Sequence, residues 1–286
     1  MVDATNSVAQ GRDGDPAGAI DADRLALLMA SHGSRWPAPV LLASTASTND
    51  DAAELAGSGA AEGSCVVADE QTAGRGRLDR TWVSPPGAGL WMSVLVRPGS
   101  AETGRIAWLP LLAGLAVTDA LREACQVRAE LKWPNDIVVT AAACGGSEGP
   151  RKLGGILSAM LPDAAGDQAV VIGIGLNVGL RSADLPIPQA TSVLLEGGVP
   201  DRTVLLAAVL SALESRVAQW RSGDPAAKVD YRDRCATIGR QVHVDLPSGD
   251  TLSGFVTGID DDGHLIVEDG ESTARITAGD VIHATI

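Results

Sequence analysis

The chain of 286 residues is poor in aromatic side chains, which make up 3% and include a single Phe and a single Tyr. Its hydrophobic fraction of 45% is still ample for a core, which must consist of Leu, Val, Ile and Ala. No hydrophobic run reaches the roughly 18 residues of a membrane span. The first residues have neither a basic start nor an apolar centre, so a signal peptide is not expected.

Basic residues are also scarce, because 22 Lys and Arg stand against 36 Asp and Glu and give a net charge of −14. Non-specific binding of nucleic acid depends on Lys and Arg that neutralise phosphates, so this balance argues against a nucleic-acid partner and against an anionic membrane. The four cysteines are Cys65, Cys125, Cys144 and Cys235. They form no CxxC pair, and no His lies at metal-ligand spacing from any of them. We expect reduced, mostly buried thiols, no metal site and a cytoplasmic location.

Hydrophobic patterning predicts an α+β protein with a disordered tail over 1–20, a main domain over 21–235 and a C-terminal domain over 236–286. The C-terminal domain consists of short alternating strands between Asp- and Gly-rich turns, which predicts a small, acidic β-barrel. In the main domain, helices are predicted over 21–32, 47–57, 106–124 and 201–220, strands over 65–68, 90–96, 129–131, 137–139, 153–161 and 169–178, and a loop over 141–151.

A basic loop, GRGRLDRTW over residues 74–82, is the most informative segment. Glycine lets the backbone approach a ligand closely, and the guanidinium fork of Arg75, Arg77 and Arg80 suits carboxylate or phosphate. In an acidic protein this loop indicates a small anionic ligand, although a solvated turn is the alternative. Its glycine spacing matches neither a dinucleotide fingerprint nor a phosphate loop of the Walker type.

Three further segments place polar residues or glycines in apolar strands: Lys132–Asp136, Lys152–Leu157 and Gly173–Val178. Each has a structural alternative, namely a turn, an edge-strand lysine beside a bulge, and a core amide at Asn177. Taken together with the basic loop, they predict a pocket in which an acid is activated by a nucleotide. Because no Ser-His-Asp or Cys-His set is apparent, the chemistry implied is positioning and charge stabilisation.

The ordered motifs resemble those of the biotin protein ligases over roughly residues 37–286. They are Ser47-Thr48-Asn49, the segment 71–77 with Trp82, Lys132–Asp136, Lys152–Leu157 and Gly173–Val178. Each motif is weak alone, but all of them occur in order. The resemblance implies a mixed sheet with helices, related to class II aminoacyl-tRNA synthetases, followed by an SH3-like β-barrel.

The resemblance also implies a reaction, in which ATP with Mg²⁺ converts biotin into biotinyl-5′-AMP. A lysine of a biotin carboxyl carrier domain then receives the biotin. Arg77 and Lys152 would be catalytic, because they would hold the biotin carboxylate and the phosphate. The implied biotin-binding residues are Ser47, Thr48, Asn49, Gln71, Arg75, Gly76, Arg77, Lys152 and Gly155. The implied ATP-binding residues are Arg77, Trp82, Lys132, Asn135, Asp136 and Asn177.

The chain departs from the family pattern at two positions. Asp79 stands where many members have Gly before the last arginine of the loop, and Ala159 stands where many have Glu. We expect Asp79 to pair with Arg77 or Arg80 in the empty state or to slow loop closure. The segment before the catalytic motifs is too short for the helix-turn-helix domain of the repressor members, so no DNA binding is expected.

Two other functions compete with this interpretation. A lipoate or octanoyl ligase shares the catalytic fold but typically shows an Arg-Arg…Gly-Gly-Gly…His-Asp signature, which this chain lacks. A non-catalytic biotin-binding protein would not need groups that face ATP, and the presence of Arg77, Lys132 and Lys152 argues against it.

Overall fold

The structure is a computed structural model that describes residues 17–140, 149–162 and 168–283. The helices of the described residues are α1 Ala22–Ser31, α2 Thr48–Gly57, α3 Leu109–Cys125, α4 Arg202–Ser222 and α5 Pro225–Asp233, with 3₁₀ turns at Ser100–Trp108 and Ser182–Asp184. The strands are β1 Val40–Thr45, β2 Cys65–Gln71, β3 Gly89–Val96, β4 Glu130–Lys132, β5 Asp136–Val139, β6 Arg151–Pro162, β7 Gln168–Asn177, β8 Gln241–Asp245, β9 Thr251–Ile259, β10 Leu265–Glu268, β11 Thr273–Ile276 and β12 Asp280–His283.

The larger sheet has the strand order β1-β2-β3-β7-β6-β5-β4 among the described residues. Only β1 and β2 pair in parallel, so the sheet is mixed, as predicted. Alternate residues of β3 face opposite sides, since Met92 packs in the cluster of α3 and α4 whereas Leu95 packs against Ala52 of α2. The side bearing the short helix α2 is thinly covered, which leaves room there for a cavity.

The longest described helix, α4, owes its bounds to capping signals in the sequence. The side chain of Asp201 accepts a hydrogen bond from Val204 N at 3.0 Å at the start of α4, and Gly223 ends the helix with φ 70°. Within the described chain, Ser100–Cys125 has the length and hydropathy of a membrane span, but 67% of its most apolar window is buried inside the protein. The apolar character of this segment is therefore that of a core helix.

The smaller sheet, formed by the C-terminal residues, has the order β11-β10-β9-β8-β12 and is antiparallel. Two tryptophans of the main domain attach its β9–β10 turn. The indole Nε1 of Trp108 donates to Asp261 O at 2.8 Å, and that of Trp133 donates to Gly263 O at 3.0 Å. The predicted strands of this region are confirmed, and the smaller sheet contacts the preceding part of the chain through these tryptophans.

Several local predictions differ from the structure. Strand β1 and helix α5 are not among the predicted elements, and the first residues of the helix predicted over 106–124 are 3₁₀. Part of the predicted tail is packed, because Ala17 is buried, its carbonyl accepts from Arg202 N at 3.3 Å, and Ile20 packs against the core. The rest of the tail, most of the predicted 141–151 loop and Cys144 lie outside the described residues. The other three cysteines are free and buried.

Candidate active site

A cavity of about 240 Å³ lies beside α2, β6, β7 and the basic loop, which we call the arginine loop (residues 74–82). All but one of the predicted site residues line it: Ser47, Thr48, Asn49, Gln71, Arg75, Gly76, Arg77, Trp82, Asn135, Asp136, Lys152, Gly155 and Asn177. The exception is Lys132, whose charge nevertheless acts on Asp280 at the cavity wall. The structure thus brings together segments that are far apart in the chain.

The polar end of the cavity is a hydrogen-bonded cluster at the start of α2. The hydroxyls of Thr48 and Ser93 lie 2.7 Å apart, and Ser93 Oγ donates to Asn49 Oδ1 at 2.6 Å. Asn49 Nδ2 donates to Leu157 O at 3.1 Å, and Thr48 N donates to Gln71 Oε1 at 2.9 Å. Since protein partners fix these side chains, this end of the cavity is preorganised for a neutral, polar ligand group.

Glycines of β7 make the close packing of the cavity wall feasible. A Cβ at position 173 would lie 2.2 Å from Asn49 Oδ1, and one at position 175 would lie 2.8 Å from Trp82 Nε1. A glycine within a strand often marks a place where a ligand approaches the backbone. At Gly173 and Gly175 it is instead a protein side chain of the site that occupies the space.

Trp82 closes one side of the cavity. Its ring meets Trp91 edge to face, with 6.4 Å between centroids and 74° between planes, and Lys152 Nζ lies 5.5 Å from the ring centroid. Among the described residues, the indole N–H of Trp82 is buried and has no hydrogen-bond acceptor. Buried donors normally have a partner, so this one is suited to an acceptor on a ligand.

The arginine loop is a hairpin whose tip has a left-handed backbone. Gly76 N donates to Arg80 O at 2.6 Å, and between them Leu78 and Asp79 both have φ 56°. Positive φ is costly for a residue with a side chain, and Asp tolerates it better than Leu does. A glycine at position 79 would take the same conformation without that cost.

Two arginines of the loop pair with carboxylates. Arg75 Nη2 contacts Asp50 of α2, and Arg80 Nη2 contacts Asp280, which begins β12 of the C-terminal sheet. The expectation that Asp79 would pair with a neighbouring arginine is therefore wrong for Arg80. The tight turn directs Arg80 away from its own neighbour and toward the C-terminal sheet.

Arg77 has neutral partners instead. Its Nη1 lies 3.3 Å from Asn135 Oδ1 and 3.2 Å from Gly279 O. Burial lowers the pKa of Arg77, and the charges of Asp280 and Asp136 oppose that shift. A half-buried guanidinium with only neutral hydrogen-bond acceptors is suited to an anionic ligand in the cavity.

The sequence contains three lysines, and two of them belong to this region. Lys152 Nζ lies 2.5 Å from Asp136 Oδ1. Lys132 is half-buried, and burial lowers its pKa. The third, Lys228, donates from Nζ to Asp261 O at 2.7 Å, on the far side of the β9–β10 turn. The cavity therefore combines a neutral polar end with a cationic end, as an acid and a polyanion would require when they react together.

Comparison with known proteins identifies the family to which this chain belongs. The family model described as the biotin/lipoate A/B protein ligase family matches residues 41–177, and the biotin protein ligase C terminal domain matches residues 237–284. A biotin–acetyl-CoA-carboxylase ligase of Mycobacterium tuberculosis is 40% identical over 256 residues, which cover 88% of this chain and 91% of that protein. The chain belongs to the biotin protein ligase family.

Other members agree with this assignment. The bifunctional ligase/repressor BirA of Bacillus subtilis is 35% identical over 240 residues, which cover 82% of this chain and 70% of that protein. A biotin protein ligase from Aquifex aeolicus, solved in complex with biotin and ATP, has a TM-score of 0.71 and 26% identity, and the match covers 87% of this chain and 99% of that one. The resemblance deduced from the motifs is confirmed, and both sheets belong to the biotin protein ligase fold.

The site includes residues that the motifs of the biotin protein ligases did not reveal. Ser93 of β3 completes the polar cluster, and Asp280 lines the cavity although it is 200 residues from Arg80, its partner. A serine in a buried strand and an acid in a strongly acidic domain carry no sequence signal. Ala159, the second departure from the family pattern, is exposed on β6 and does not line the cavity.

Away from this site, one group within the described chain brings three side chains of metal-ligating type together. Ligand atoms of Asp260, Asp262 and His264 lie within 4.8 Å of one another. Arg275 Nη2 already lies 2.6 Å from Asp260 Oδ2 and 2.8 Å from Asp262 Oδ2. The arginine balances the acidic charge of this turn, which is accounted for as an ion-pair cluster.

Proposed function

We propose that this chain activates biotin with ATP, forming biotinyl-5′-AMP and pyrophosphate, and transfers biotin to a specific lysine of a biotin carboxyl carrier domain of a carboxylase. The observation that carries the proposal is the cavity with Arg77 and Lys152 at its cationic end and the Thr48–Asn49 cluster at its polar end. The names of its relatives, which are ligases for acetyl-CoA carboxylase, support the choice of acceptor.

We assign the polar end to biotin. Its ureido ring offers one carbonyl and two N–H groups, which match the fixed hydroxyl and amide groups of Thr48 and Asn49. The biotin carboxylate then extends toward Lys152 and the arginine loop. The residues proposed for biotin are Ser47, Thr48, Asn49, Gln71, Arg75, Gly76, Arg77, Lys152 and Gly155.

The other end receives ATP, which enters as its Mg²⁺ complex. Trp82 packs against adenine, and its unsatisfied indole N–H provides a donor beside the base. Lys132 and Arg77 balance the charge of the triphosphate, and Asp136 interacts with the charges of both Lys132 and Lys152. The residues proposed for ATP are Arg77, Trp82, Lys132, Asn135, Asp136 and Asn177.

The chemistry follows from holding two anions in line. A carboxylate oxygen of biotin attacks the α-phosphorus, a new P–O bond forms, and the bond to pyrophosphate breaks. Lys152 and Arg77 offset the negative charge that accumulates where the two reactants meet. In the second step the neutral amine of the carrier lysine attacks the carbonyl, a C–N bond forms, AMP leaves, and the amine loses a proton.

The division into domains remains part of this proposal. We assign residues 21–235 to catalysis and 236–286 to an SH3-like barrel, supported by the five-stranded antiparallel sheet and the family boundary at 237–284. We extend the proposal to a relation of the catalytic domain to class II aminoacyl-tRNA synthetases, which membership of the biotin protein ligase family supports. Buried free thiols support a cytoplasmic location, and the net charge of −14 supports a protein without a nucleic-acid or membrane partner.

The direct test is exchange of labelled pyrophosphate into ATP. We expect exchange that depends on biotin, because formation of the adenylate is reversible while pyrophosphate is present. Lipoate should support no exchange. Exchange with lipoate and none with biotin would overturn the substrate assignment, and labelling of a carrier domain with biotin then tests the transfer step.

Arg77→Gly tests the role of the arginine loop. The change removes charge-assisted hydrogen bonds to the intermediate, which are worth about 1.5 kcal/mol or more, so release of biotinyl-5′-AMP should become at least roughly tenfold faster. The measurement is the rate at which preformed, labelled adenylate leaves the enzyme. Arg128→Gly, an exposed arginine outside the cavity, is the matched control. Equal release rates for Arg77→Gly and the unaltered enzyme would remove Arg77 from this role.

A further inference from the structure

The contacts of the arginine loop extend beyond the catalytic half of the chain. Arg80 Nη2 pairs with Asp280 Oδ2, and Arg77 Nη1 lies 3.2 Å from Gly279 O. The two acceptors are consecutive residues at the start of β12 in the C-terminal sheet. Arg77 also contacts Asn135 of the catalytic half, and the remaining arginine, Arg75, is held by that half through Asp50 of α2.

The C-terminal anchor is fixed within its own sheet. A Cβ at Gly279 would lie 2.7 Å from Val244 Cγ1 and 3.1 Å from Asp245 O, so the backbone there is tightly packed. The next residue, Asp280, pairs in register with Asp245, and Val281 is buried. The C-terminal sheet therefore fixes the position of the Asp280 carboxylate. The arginine loop, which this carboxylate holds, lines the catalytic cavity.

The charges around Asp280 favour its ionised form. Burial would raise its pKa, but the hydrogen bond and charge of Arg80, together with Lys132 and Arg77, outweigh burial and hold that pKa below its usual value. The facing carboxylate of Asp136 also interacts with Arg80. The ion pair thus stays formed at neutral pH, and it lies at the wall of the cavity instead of at a remote surface.

We propose that Asp280 is a positioning residue, which latches the arginine loop to the C-terminal sheet through Arg80. The adjacent carbonyl of Gly279 holds Arg77 in place over the cavity. The C-terminal domain thereby sets how long the loop stays closed, and with it the retention of the reactive intermediate. The claim about retention of the intermediate rests on the function proposed above, whereas the contact between the loop and the C-terminal sheet does not.

Limited trypsin digestion of the full-length, ligand-free protein tests the latch without reference to activity. Trypsin cuts after Arg75, Arg77 and Arg80 when the loop opens, and mass spectrometry identifies the cuts. Asp280→Asn keeps every cleavage site but removes the ionic partner of Arg80. The ion pair is partly exposed, with 61% and 32% of its two side chains accessible, so we expect cleavage in the loop to accelerate about two- to fivefold.

Two matched variants sharpen the result. Asp280→Glu should keep cleavage close to that of the unaltered protein, and Asp250→Asn removes a C-terminal carboxylate that bonds Ser248 instead of the loop. Equal cleavage of Asp280→Asn and Asp250→Asn, with matching melting temperatures, overturns the latch. In the second arm, Asp280→Asn should release preformed biotinyl-5′-AMP about two- to fivefold faster. If loop cleavage accelerates but no adenylate forms in the unaltered protein, the latch stands and the proposed function fails.

Discussion

Lys152→Ala should lower the rate of biotin adenylation by about 10²–10³, the effect of removing one preorganised group from a site of developing charge. The Lys152 ammonium lies 2.5 Å from Asp136 and 5.5 Å from the ring centroid of Trp82, so it is held at the cationic end of the cavity beside two residues that we propose for ATP. Alanine leaves the Asp136 carboxylate without this counter-charge and adds repulsion toward the triphosphate. Single-turnover formation of biotinyl-5′-AMP at saturating biotin and ATP measures the change.

The chain offers a natural control for this experiment. Lys228→Ala removes another lysine, one that bonds Asp261 O outside the cavity, and should leave adenylation unchanged. Lys152→Arg keeps the charge but changes its geometry, and should recover part of the rate. A Lys152→Ala protein that retains near-normal adenylation would reduce this residue to a strand lysine with an acidic neighbour.

Gly173→Ala should weaken biotin binding roughly 150-fold, by about 3 kcal/mol. The added Cβ would lie 2.2 Å from Asn49 Oδ1, a distance that no relaxed structure tolerates. Asn49 must move, and its hydrogen bonds with Ser93 Oγ and Leu157 O are lost together. Isothermal titration calorimetry with biotin measures the affinity, and thermal unfolding shows whether the fold survives.

Gly258→Ala is the matched control, because this glycine also lies in a strand but has no atom within 4 Å of the added Cβ. It should leave biotin affinity unchanged. If Gly173→Ala binds biotin as tightly as the unaltered protein, the Thr48–Asn49 cluster is not the biotin end of the cavity, and the orientation of the two substrates must be reversed.

The sequence predicted the features that depend on local interactions. The helix predicted over 201–220 is present, and the side chain of Asp201 caps it by accepting a hydrogen bond from Val204 N. The stripe of α4 that includes Leu205 and Val209 is buried, and the C-terminal strands alternate between buried and exposed residues as their pattern required. The arginine loop and the lysine motifs line one cavity because the strands that carry or flank them belong to a single sheet.

What the sequence could not predict has a physical cause in each case. Strand β1 is mostly exposed and lacks an alternating pattern, so nothing distinguished it from a loop. Helix α5 has few large apolar residues, since it buries only Ala227 and Tyr231. The pairing of Arg80 with Asp280 spans 200 residues and depends on how two sheets meet, which no local pattern encodes.

The small number of lysines has a chemical consequence. A mixed anhydride acylates free amines, and a protein that produces one is the nearest target for any molecule that escapes. This chain has three lysines in 286 residues, and its other side chains that are cationic at neutral pH are arginines, which stay protonated and do not act as amine nucleophiles. Lys152 and Lys228 are each engaged by an acceptor. Positive charge carried on guanidinium groups lets the enzyme hold its anions while offering few amines of its own to the reagent that it makes.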